Sequence, residues 1–311
     1  MGPIEVSYAD VGRGSFNWTA EGVDGRRWFV KVSHKDREPG FLDRTYETAA
    51  ALHEAGLDFV HAAIRTPHGG HLRGPVGGQY LMSVFPYIDG RNRTNDEADR
   101  VELAETLGRL HAHMPIPDVA FRLTLGYRIP QFRVQIGRGA NTTWGNGPFA
   151  EPARLLSSAA RPGLERLLNA YDRWVARYRD DDEPVVMTHG EPHTGNTMVT
   201  ASGEIRLIDC DAMMAGPRER DLRLLLDGSH GGPRGLDNTA VMAAYQRGTG
   251  REVVPRRYVM DMLRAEWHLG EIGAYLASFS AQHHVDRDTV ADWRAFTSYV
   301  PIEQNWPDLA D

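Results

Sequence analysis

Residues 185–199 of this 311-residue chain read Val-Val-Met-Thr-His-Gly-Glu-Pro-His-Thr-Gly-Asn-Thr-Met-Val, and residues 205–211 read Ile-Arg-Leu-Ile-Asp-Cys-Asp. The apolar residues of these segments predict two short strands, over 185–188 and 204–208. A polar loop follows the first strand, and carboxylates end the second. We therefore expect the chemistry of the protein to be centred on these two strand ends.

The polar residues at the strand ends are of the kind that binds a hard cation. Glu191 and Asn196 lie in the loop, and Asp209 ends the second strand. Mg²⁺ prefers such oxygen ligands, completing its shell with water and phosphate oxygens. His189 and His193 raise the alternative of a zinc site, but the glycine and proline between them disfavour a zinc-binding helix. Turn residues or one isolated carboxylate do not explain three such groups beside apolar strands.

The order of predicted elements indicates an α+β protein with a β-rich front and an α-rich back. The front has the pattern βββαββ, over 4–11, 15–22, 26–32, 39–56, 59–65 and 79–85. The back is helical over 98–113, 153–179, 218–227, 239–249, 257–280 and 286–299, and 115–151 is expected to be irregular. The predicted division is 1–85 and 89–311, with a connector at 83–88 and a cleft as the ligand site.

Composition excludes several classes of function. The net charge of −7 argues against nucleic acid as a partner and permits cationic partners. No run approaches the ~20 apolar residues of a membrane-spanning helix, and no signal peptide is visible. The one cysteine, Cys210, suits a reducing compartment. We expect a cytoplasmic protein without a membrane partner, of unknown oligomeric state.

The chain contains 35 basic residues, of which only Lys31 and Lys35 are lysines. Lys31 interrupts a predicted apolar strand, on the same face as Phe29. One interpretation is an exposed lysine on an edge strand. The other pairs Lys31 with Glu47 of the following helix, as kinases do to grip nucleotide phosphates. Lys35 lies in a polar turn where arginine would serve equally well.

Two further segments are candidates for the same site. The turn at 12–17, Gly-Arg-Gly-Ser-Phe-Asn, is able to place backbone amides over phosphates, although any hairpin favours glycine. Asp221 opens a predicted helix and either caps that helix or orders the polar loop. His111 is expected to be a core histidine.

Four motifs together resemble the aminoglycoside phosphotransferase family, small-molecule kinases with a protein-kinase-like fold. These are HGEPHTGN at 189–196, LIDCD at 207–211, RERDL at 218–222 and VKV at 30–32. The back half is similar to the spectinomycin-phosphotransferase-like branch. The resemblance implies a bilobal fold, with an N-terminal antiparallel β-sheet lobe carrying one helix and binding nucleotide. It also implies a larger, mostly helical C-terminal lobe for catalysis and substrate.

The resemblance assigns a nucleotide site that takes ATP, with GTP as an alternative. Lys31 would contact the α- and β-phosphates, and Glu47 would orient it. Met82 would be the gatekeeper beside the adenine. The backbone of 83–85, which includes Ser83 and Phe85, would hold the adenine. The remaining implied nucleotide-binding residues are Gly14 and Ser15.

The same resemblance assigns the catalytic and metal-binding roles. Glu191 would act on the substrate hydroxyl, and Asp221 would brace its loop. Asn196 and Asp209 would hold Mg²⁺. For the acceptor, a polyhydroxy and cationic small molecule, the implied residues are Asp227, Glu266, Trp267 and Glu271. The alternative for Trp267 and Glu271, four apart on one helix, is a core aromatic residue beside a solvated charge.

Glu191 departs from the family pattern, which has aspartate at this position. Its carboxylate is shifted by about a bond length, and a ~1 Å misplacement can cost ~100-fold in rate. Either the acceptor lies farther from the loop and Glu191 is a normal base, or catalysis is impaired and the fold serves binding. We favour the first, because the metal and phosphate residues are retained.

The predicted function is transfer of the ATP γ-phosphoryl group to a hydroxyl of an aminoglycoside- or aminocyclitol-type antibiotic, with a role in resistance. One alternative is a metabolic or biosynthetic kinase of a sugar, amino alcohol or natural-product intermediate. Another is a pseudokinase that binds nucleotide without turnover.

We predict that Lys31→Arg weakens nucleotide binding although the charge is preserved, because the wide guanidinium fork does not fit where the slender ammonium does. The expected loss is roughly tenfold in affinity, about 1.4 kcal/mol. Lys35→Arg is the matched control and should bind as the wild type does. Equal affinities of the two variants, measured by calorimetric titration with ADP, would contradict the prediction.

Overall fold

The structure is a computed structural model that describes residues 4–11, 15–34, 39–137, 144–226 and 237–309. Its contacts divide the chain into two compact units. The first comprises Met1–Leu123 and Pro184–Pro255, and the second comprises Thr124–Glu183 and Arg256–Asp311. Each unit is therefore built from two separate segments of the chain.

The strands all belong to the first unit. In chain order they are β1 (Ile4–Ala9), β2 (Ser15–Gly22), β3 (Arg27–His34), β4 (Arg73–Val76), β5 (Tyr80–Pro86), β6 (Gly90–Asn92), β7 (Val186–Thr188), β8 (Thr197–Thr200), β9 (Ile205–Leu207) and β10 (Met214–Gly216).

The helices are distributed over both units. In chain order they are α1 (Pro39–Glu54), α2 (Glu97–Ala112), α3 (Ile129–Gly137), α4 (Ala150–Arg179), α5 (Glu219–Leu222), α6 (Thr239–Thr249), α7 (Arg257–Ser280), α8 (Arg287–Tyr299) and α9 (Ile302–Asn305). The α+β class predicted from the sequence is confirmed, with an antiparallel N-terminal sheet and a mostly helical C-terminal part. Within the described ranges, no helix is both long and apolar enough to cross a bilayer.

The main sheet is antiparallel, with strand order β1-β2-β3-β5-β4. Asn17, Lys31 and Ser83 are register partners across its three central strands, and all three side chains are buried. Because side chains alternate along a strand, the opposite face carries Phe16 and Tyr80, whose rings meet edge to face at 6.2 Å. The sheet therefore has one face with a polar row around Lys31, which we call the inner face, and one aromatic outer face.

The predicted strand at 59–65 is not formed, and β4 lies later in the chain. This segment is extended but bonds to two different strands. Val60 forms an isolated parallel bridge with Leu207, whereas the amide of Ile64 donates to the carbonyl of Val84 at 2.8 Å. Changing partners within four residues leaves no continuous ladder, which the residue types alone do not reveal.

Two small antiparallel sheets contain the segments 185–199 and 205–211. β8 pairs with β6 and β9, and β7 pairs with β10. The loop between β7 and β8 contains a short 3₁₀ turn, Thr194–Asn196. A second 3₁₀ turn, Cys210–Ala212, follows β9.

Helices α2 and α6 of the first unit meet at a pair of glycines. A Cβ atom on Gly108 would lie 2.5 Å from the carbonyl oxygen of Tyr245, and one on Gly248 would lie 2.2 Å from that of Glu105. Only glycine permits such an approach of two backbones. One turn after Gly108, this contact places His111 beside the Tyr245 ring, at 5.6 Å.

In the described part of the second unit, every regular element is a helix, and α7 packs against α3, α4 and α8. The expectation of an irregular segment over 115–151 missed α3, which lies within it. A Cβ on Gly273 of α7 would lie 3.0 Å from the Phe132 Cα atom of α3, so these two helices are also in close contact. Nine residues are too few for a clear periodic signal, and packing on α7 determines this helix.

We predict that Gly108→Ala destabilises the protein by about 1–3 kcal/mol, because its methyl group would overlap the backbone of α6 and force the helices apart. Alanine in a helix otherwise stabilises by up to about 1 kcal/mol relative to glycine. Gly40→Ala is the matched control in α1, where an added methyl group would meet no heavy atom within 4 Å. Urea unfolding that ranks Gly108→Ala at or above the wild type would show that the close contact is absent.

Candidate active site

Lys31 lies on the inner face of the main sheet, and its side chain is only 8% exposed. Its ammonium donates a hydrogen bond to Asp209 and lies 3.4 Å from an oxygen of Asp211. A buried ammonium requires such partners, because an unpaired charge in the interior is very costly. The interpretation of Lys31 as an exposed edge-strand lysine is wrong, since β3 is a central strand.

The carboxylates around Lys31 determine its charge. Burial by itself lowers the pKa of Lys31, but the negative charges of Asp209 and Asp211 outweigh burial and raise it above its ordinary value. Lys31 is therefore cationic at every physiological pH. A cation held between carboxylates is suited to exchange one of them for phosphate oxygens.

Asp209 has an unusual backbone conformation. Among the described non-glycine residues it alone has a positive φ, at 59° with ψ at 54°. Aspartate tolerates this left-handed region better than most residues, though still at a cost of about 1 kcal/mol. The conformation ends the run from β9 and starts the 3₁₀ turn that contains Asp211. Backbone strain of this kind occurs preferentially at functional sites.

Asp221 is fully buried and holds the loop after β7. Its two carboxylate oxygens accept hydrogen bonds from the main-chain amides of His189, at 2.8 Å, and Gly190, at 2.6 Å. The sequence left open whether Asp221 caps its own helix or orders the loop. These contacts favour ordering of the loop.

His111 and Tyr245 complete the surroundings of Asp221. The Nε2 atom of His111 lies 3.0 Å from the Asp221 carboxylate, and its Nδ1 atom lies 2.7 Å from the Tyr245 hydroxyl. Burial alone would raise the pKa of Asp221, but the hydrogen bond and charge of His111 lower it below the ordinary 3.8. Ionised Asp221 therefore stabilises the fold above that pH, and this stabilisation is lost only as the pH falls through the lowered value.

His189 connects the loop to the end of β9. Its Nε2 atom lies 2.8 Å from the Ile208 carbonyl oxygen, and its Nδ1 atom accepts a hydrogen bond from the Glu191 amide at 3.3 Å. With Nδ1 accepting, Nε2 carries the proton and donates to Ile208. The imidazole thus fixes the backbone at Glu191 relative to the strand that leads to Asp209.

The position of Arg220 explains why residue 190 of the loop is a glycine. Its guanidinium donates to the Thr188 hydroxyl at 2.8 Å and to the Ala212 carbonyl at 2.9 Å. A Cβ atom on Gly190 would lie 2.2 Å from this guanidinium, and Gly190 has a φ of +95°. Sterics and backbone conformation therefore both require glycine here.

Asn196 and Asp209 are brought to the same end of the β8–β9 hairpin. Ile208 is the residue before Asp209, and its main-chain amide donates a hydrogen bond to the main-chain carbonyl of Asn196 at 3.0 Å. In the described part of the chain, no three His, Cys, Asp or Glu side chains are arranged to hold a metal by themselves. The side-chain oxygens of Asn196 and Asp209 fit Mg²⁺, which completes its coordination shell with water and phosphate oxygens. The Asp209 side chain is 36% exposed and therefore accessible to such an ion.

Glu191 lies on this fixed loop and is partly exposed. Among the described residues its carboxylate has no hydrogen-bond or ion-pair partner. An acidic side chain on an anchored backbone is free to accept a proton from a bound molecule.

Glu47 does not pair with Lys31, contrary to the expectation from the sequence. Its two carboxylate oxygens accept hydrogen bonds from Arg65, at 2.6 and 2.7 Å, and one of them lies 3.0 Å from His71 Nε2. The Arg65 guanidinium holds the pKa of Glu47 below its ordinary value. Glu47 points away from Lys31 because helix α1 buries the neighbouring position, Tyr46, instead.

The strand register of β5 does not place Met82 where a gatekeeper beside the adenine is expected. Met82 pairs with Val32 and alternates onto the outer face, whereas Ser83 and Phe85 share the inner face with Lys31. The backbone of 83–85 lies within the ladder to β3, and the Val84 carbonyl accepts from the Ile64 amide. These groups are therefore largely occupied within the sheet.

The turn before β2 is only partly described. Gly14 lies outside the described residues, and its proposed phosphate contact stays a prediction. Ser15 begins β2, and its hydroxyl donates to the Asn17 side chain at 3.3 Å. The Asn17 amide in turn donates to the Val11 carbonyl at 2.6 Å, which ties the two ends of the turn together.

The predicted acceptor residue Glu266 has two internal partners in the second unit. Its carboxylate accepts hydrogen bonds from the Gly126 amide at 2.8 Å and from the Tyr171 hydroxyl at 2.9 Å. Burial raises the pKa of Glu266. Its observed contacts hold the chain before α3, and contact with an acceptor stays a prediction.

Trp267 and Glu271 both engage Arg128. The guanidinium lies 5.5 Å from the centre of the Trp267 ring and 2.8 Å from the Glu271 carboxylate. These residues also secure the segment before α3. Asp227, the fourth predicted acceptor residue, lies outside the described residues.

Asp211 is a residue of the site to which the sequence patterns assign no role. It is the second carboxylate on Lys31, and its side chain is 10% exposed. The sequence signal for Asp211 is its position two residues after Asp209. The 3₁₀ turn Cys210–Ala212, which contains Asp211, brings both carboxylates to Lys31.

Comparisons with known proteins agree on one family. A sequence model of APH, the phosphotransferase enzyme family, matches residues 10–257. Protein StrN of Streptomyces griseus is 26% identical over 278 residues, which cover 84% of this chain and 78% of StrN.

Solved structures with the same fold include small-molecule kinases. Spectinomycin phosphotransferase APH(9)-Ia, in complex with ADP and spectinomycin, superposes with a TM-score of 0.72 at 18% identity, covering 96% of this chain and 91% of that chain. The microcompartment-associated aminopropanol kinase superposes with a TM-score of 0.67 at 15% identity, covering 98% and 93%. The predicted protein-kinase-like fold and family resemblance are thereby confirmed.

We predict that Asp221→Asn releases the loop after β7, because the amide nitrogen would face a main-chain N–H that now meets a carboxylate oxygen. The unfolding free energy should fall by about 2–4 kcal/mol. Amide hydrogen exchange in the peptide containing Gly190 should accelerate, whereas Asp58→Asn, an exposed matched control, should change neither quantity. Unchanged exchange at Gly190 would show that Asp221 does not order the loop.

Proposed function

The chain belongs to the phosphotransferase enzyme family APH, and from that premise we propose that it phosphorylates a hydroxyl of an aminoglycoside- or aminocyclitol-type antibiotic. As a member of this family it is an ATP-dependent phosphotransferase that acts on hydroxyl groups. The observation that carries the proposal is the convergence at Ile208. Two points of the anchored loop, the His189 side chain and the main-chain carbonyl of Asn196, are hydrogen-bonded to Ile208, the residue that precedes Asp209.

In the proposed nucleotide complex, Lys31 contacts the α- and β-phosphates. Its buried position fixes the ammonium, and its raised pKa keeps it charged. Phosphate oxygens replace the Asp209 carboxylate as its partner, which frees Asp209.

In that complex Asn196 and Asp209 would hold Mg²⁺, which would neutralise charge on the phosphates. Asp211 stays beside Lys31 and compensates its charge when Asp209 is engaged elsewhere. This division of labour gives each of the two carboxylates near Lys31 a separate role.

Glu191 orients the acceptor hydroxyl and accepts its proton, while the hydroxyl oxygen bonds to the γ-phosphorus and ADP leaves with the bridging oxygen. Positioning contributes most of the acceleration in this type of reaction. Asp221 and His189 act through Glu191 by holding its backbone. The extra methylene of Glu191 implies an acceptor hydroxyl about one bond length farther from the loop than with aspartate.

For the adenine we propose the chain just beyond β5. The ladder with β3 ends at the pair Trp28–Pro86, and the Tyr87 amide donates to the Arg27 carbonyl. The next backbone groups, at 88–89, are the first outside this ladder. This placement moves the hinge a few residues beyond 83–85, to the far end of the predicted connector.

The functional lobes proposed from the sequence remain 1–85 for nucleotide and 89–311 for catalysis and acceptor. They do not coincide with the compact units, because β7–β9 cluster with the N-terminal sheet. A cytoplasmic location, where ATP is available, and a role in antibiotic resistance belong to the same proposal.

The similarity to spectinomycin phosphotransferase supports an aminocyclitol-type acceptor. The net charge of −7 is compatible with a cationic acceptor. The second candidate is an amino alcohol kinase. It is favoured by the similarity to aminopropanol kinase, at a TM-score of 0.67.

We expect ADP release only when ATP, Mg²⁺ and a suitable acceptor are all present. The panel should include spectinomycin, aminoglycosides, 1-amino-2-propanol, ethanolamine and simple sugars, with the phosphorylated product identified by mass spectrometry. Asp209→Ala should abolish transfer through loss of a metal ligand. Glu191→Gln should reduce kcat by about 100-fold or more and leave ADP affinity unchanged.

The outcomes separate the candidates. Turnover of amino alcohols but not of aminocyclitols would move the assignment to the second candidate. ADP binding without turnover of any acceptor would favour the binding-only alternative, and full activity of Asp209→Ala would overturn the metal assignment.

A further inference from the structure

Arg220 precedes Asp221 in the short helix α5, and its guanidinium lies against the loop that contains Glu191. The Nη1 atom of Arg220 donates a hydrogen bond to the Thr188 hydroxyl at 2.8 Å, and its Nη2 atom donates to the Ala212 carbonyl at 2.9 Å. These two acceptors belong to different segments, the end of β7 and the 3₁₀ turn after β9. One planar side chain therefore bridges the two segments on which the proposed chemistry depends.

The first arm of this bridge continues through Thr188 into β10. Thr188 is fully buried, and its hydroxyl donates a hydrogen bond to the Met214 carbonyl at 2.7 Å. A hydroxyl has one proton and two lone pairs, so Thr188 donates to Met214 and accepts from the guanidinium at the same time. Thr188 and Met214 are also register partners of β7 and β10. This arm fixes the end of β7, from which the loop begins.

The second arm holds the turn that contains the carboxylates of the site. Ala212 is the last residue of this 3₁₀ turn, which follows Asp209 directly and contains Asp211. Asp209 has a φ of 59°, and a residue keeps such a conformation only where its surroundings enforce it. The hydrogen bond to the Ala212 carbonyl supplies one of these constraints, three residues after Asp209.

A separate bridge joins the loop to the same segment on the other side of Asp209. The His189 Nε2 atom lies 2.8 Å from the carbonyl oxygen of Ile208, which precedes Asp209 in the chain. Arg220 instead reaches Ala212, which follows Asp209. The chain that contains Asp209 is therefore attached on both sides, and the two attachments use different side chains.

We propose that Arg220 is a positioning residue, which sets the distance between Glu191 on the loop and Asp209 on the turn. It acts through the two segments that it bridges, at Thr188 and Ala212. This inference rests on the proposed function, since it takes Glu191 as the group that acts on the acceptor and Asp209 as a metal ligand. Phosphoryl transfer depends on positioning, so a change in this distance affects turnover more than nucleotide binding.

The bridge requires the shape of the guanidinium and not only its charge. Arginine presents its donors in a rigid planar fork, so two acceptors on different segments are held at a fixed separation. Lysine has its charge on a single nitrogen at the end of a flexible stem, which does not reproduce this fork. Replacement of Arg220 by lysine therefore separates the effect of the bridge from the effect of the charge.

The decisive variant is Arg220→Lys. We expect kcat per folded molecule, with the acceptor of the panel that is turned over fastest, to fall about 10- to 100-fold, because a ~1 Å misplacement can cost ~100-fold in rate. ADP affinity, measured by calorimetric titration without Mg²⁺, should be unchanged. Amide hydrogen exchange should accelerate in the peptides that contain Gly190 and Ala212, which reports on the bridge without turnover. Thermal unfolding verifies that the variant is folded.

Three further variants serve as controls. Arg247→Lys is the matched control, since Arg247 pairs with Glu105 on an exposed surface, and it should change neither turnover nor exchange. Thr188→Val removes the acceptor of the first arm and should lower kcat, and its loss should not add to that of Arg220→Lys. Thr188→Ser keeps the hydroxyl and should retain the turnover of the wild type.

Each result decides the inference. Wild-type kcat in Arg220→Lys overturns it, as does a lower unfolding temperature with unchanged kcat per folded molecule, which would show a purely structural role. Unchanged exchange in both peptides also overturns it. If Arg220→Lys does not fold, Thr188→Val decides by the same criteria. A wild type that turns over no acceptor overturns the proposed function itself, and the exchange measurement then still decides whether Arg220 bridges the two segments.

Discussion

The buried carboxylate of Asp221 is the interaction on which the site depends. Its oxygens accept the amides of His189 and Gly190, and His111 supplies the third partner. A fully buried carboxylate without these donors would be strongly destabilising, so the loop after β7 has one favourable position. The glycine contact between α2 and α6 belongs to the same arrangement, because it places Tyr245 against His111.

A second buried charge, on Lys31, organises the sheet side of the site. Its carboxylate partners come from the segment after β9, and its register partners on the neighbouring strands are Asn17 and Ser83. The two buried charges are linked through the short pairing of β8 with β9 and through His189, which contacts Ile208. Displacement of either charge would therefore shift the loop that contains Glu191.

Much of the fold and site was predictable from local patterns. The helices α6 and α7 were predicted with the bounds that the structure has, because long periodic segments with clear ends determine their own structure. The motif around Asp209 was identified because carboxylates end an apolar run, and Asp221 was identified because it opens a predicted helix. The segment at 59–65 was misassigned, since its residues suit a strand but its hydrogen bonds go to two partners.

The sequence by itself determined the family, the α+β class and the candidate residues for binding phosphate and metal and for accepting a hydroxyl proton, because these depend on residue type and short-range spacing. Only the tertiary structure decided which groups meet. The period of helix α1 buries Tyr46, whereas the predicted pairing of Lys31 with Glu47 was based on opposite charge. Packing decided the orientation of the helix, because the period of a helix determines which of its residues are buried. The Glu47 carboxylate therefore lies outside the core and pairs with the partly exposed Arg65.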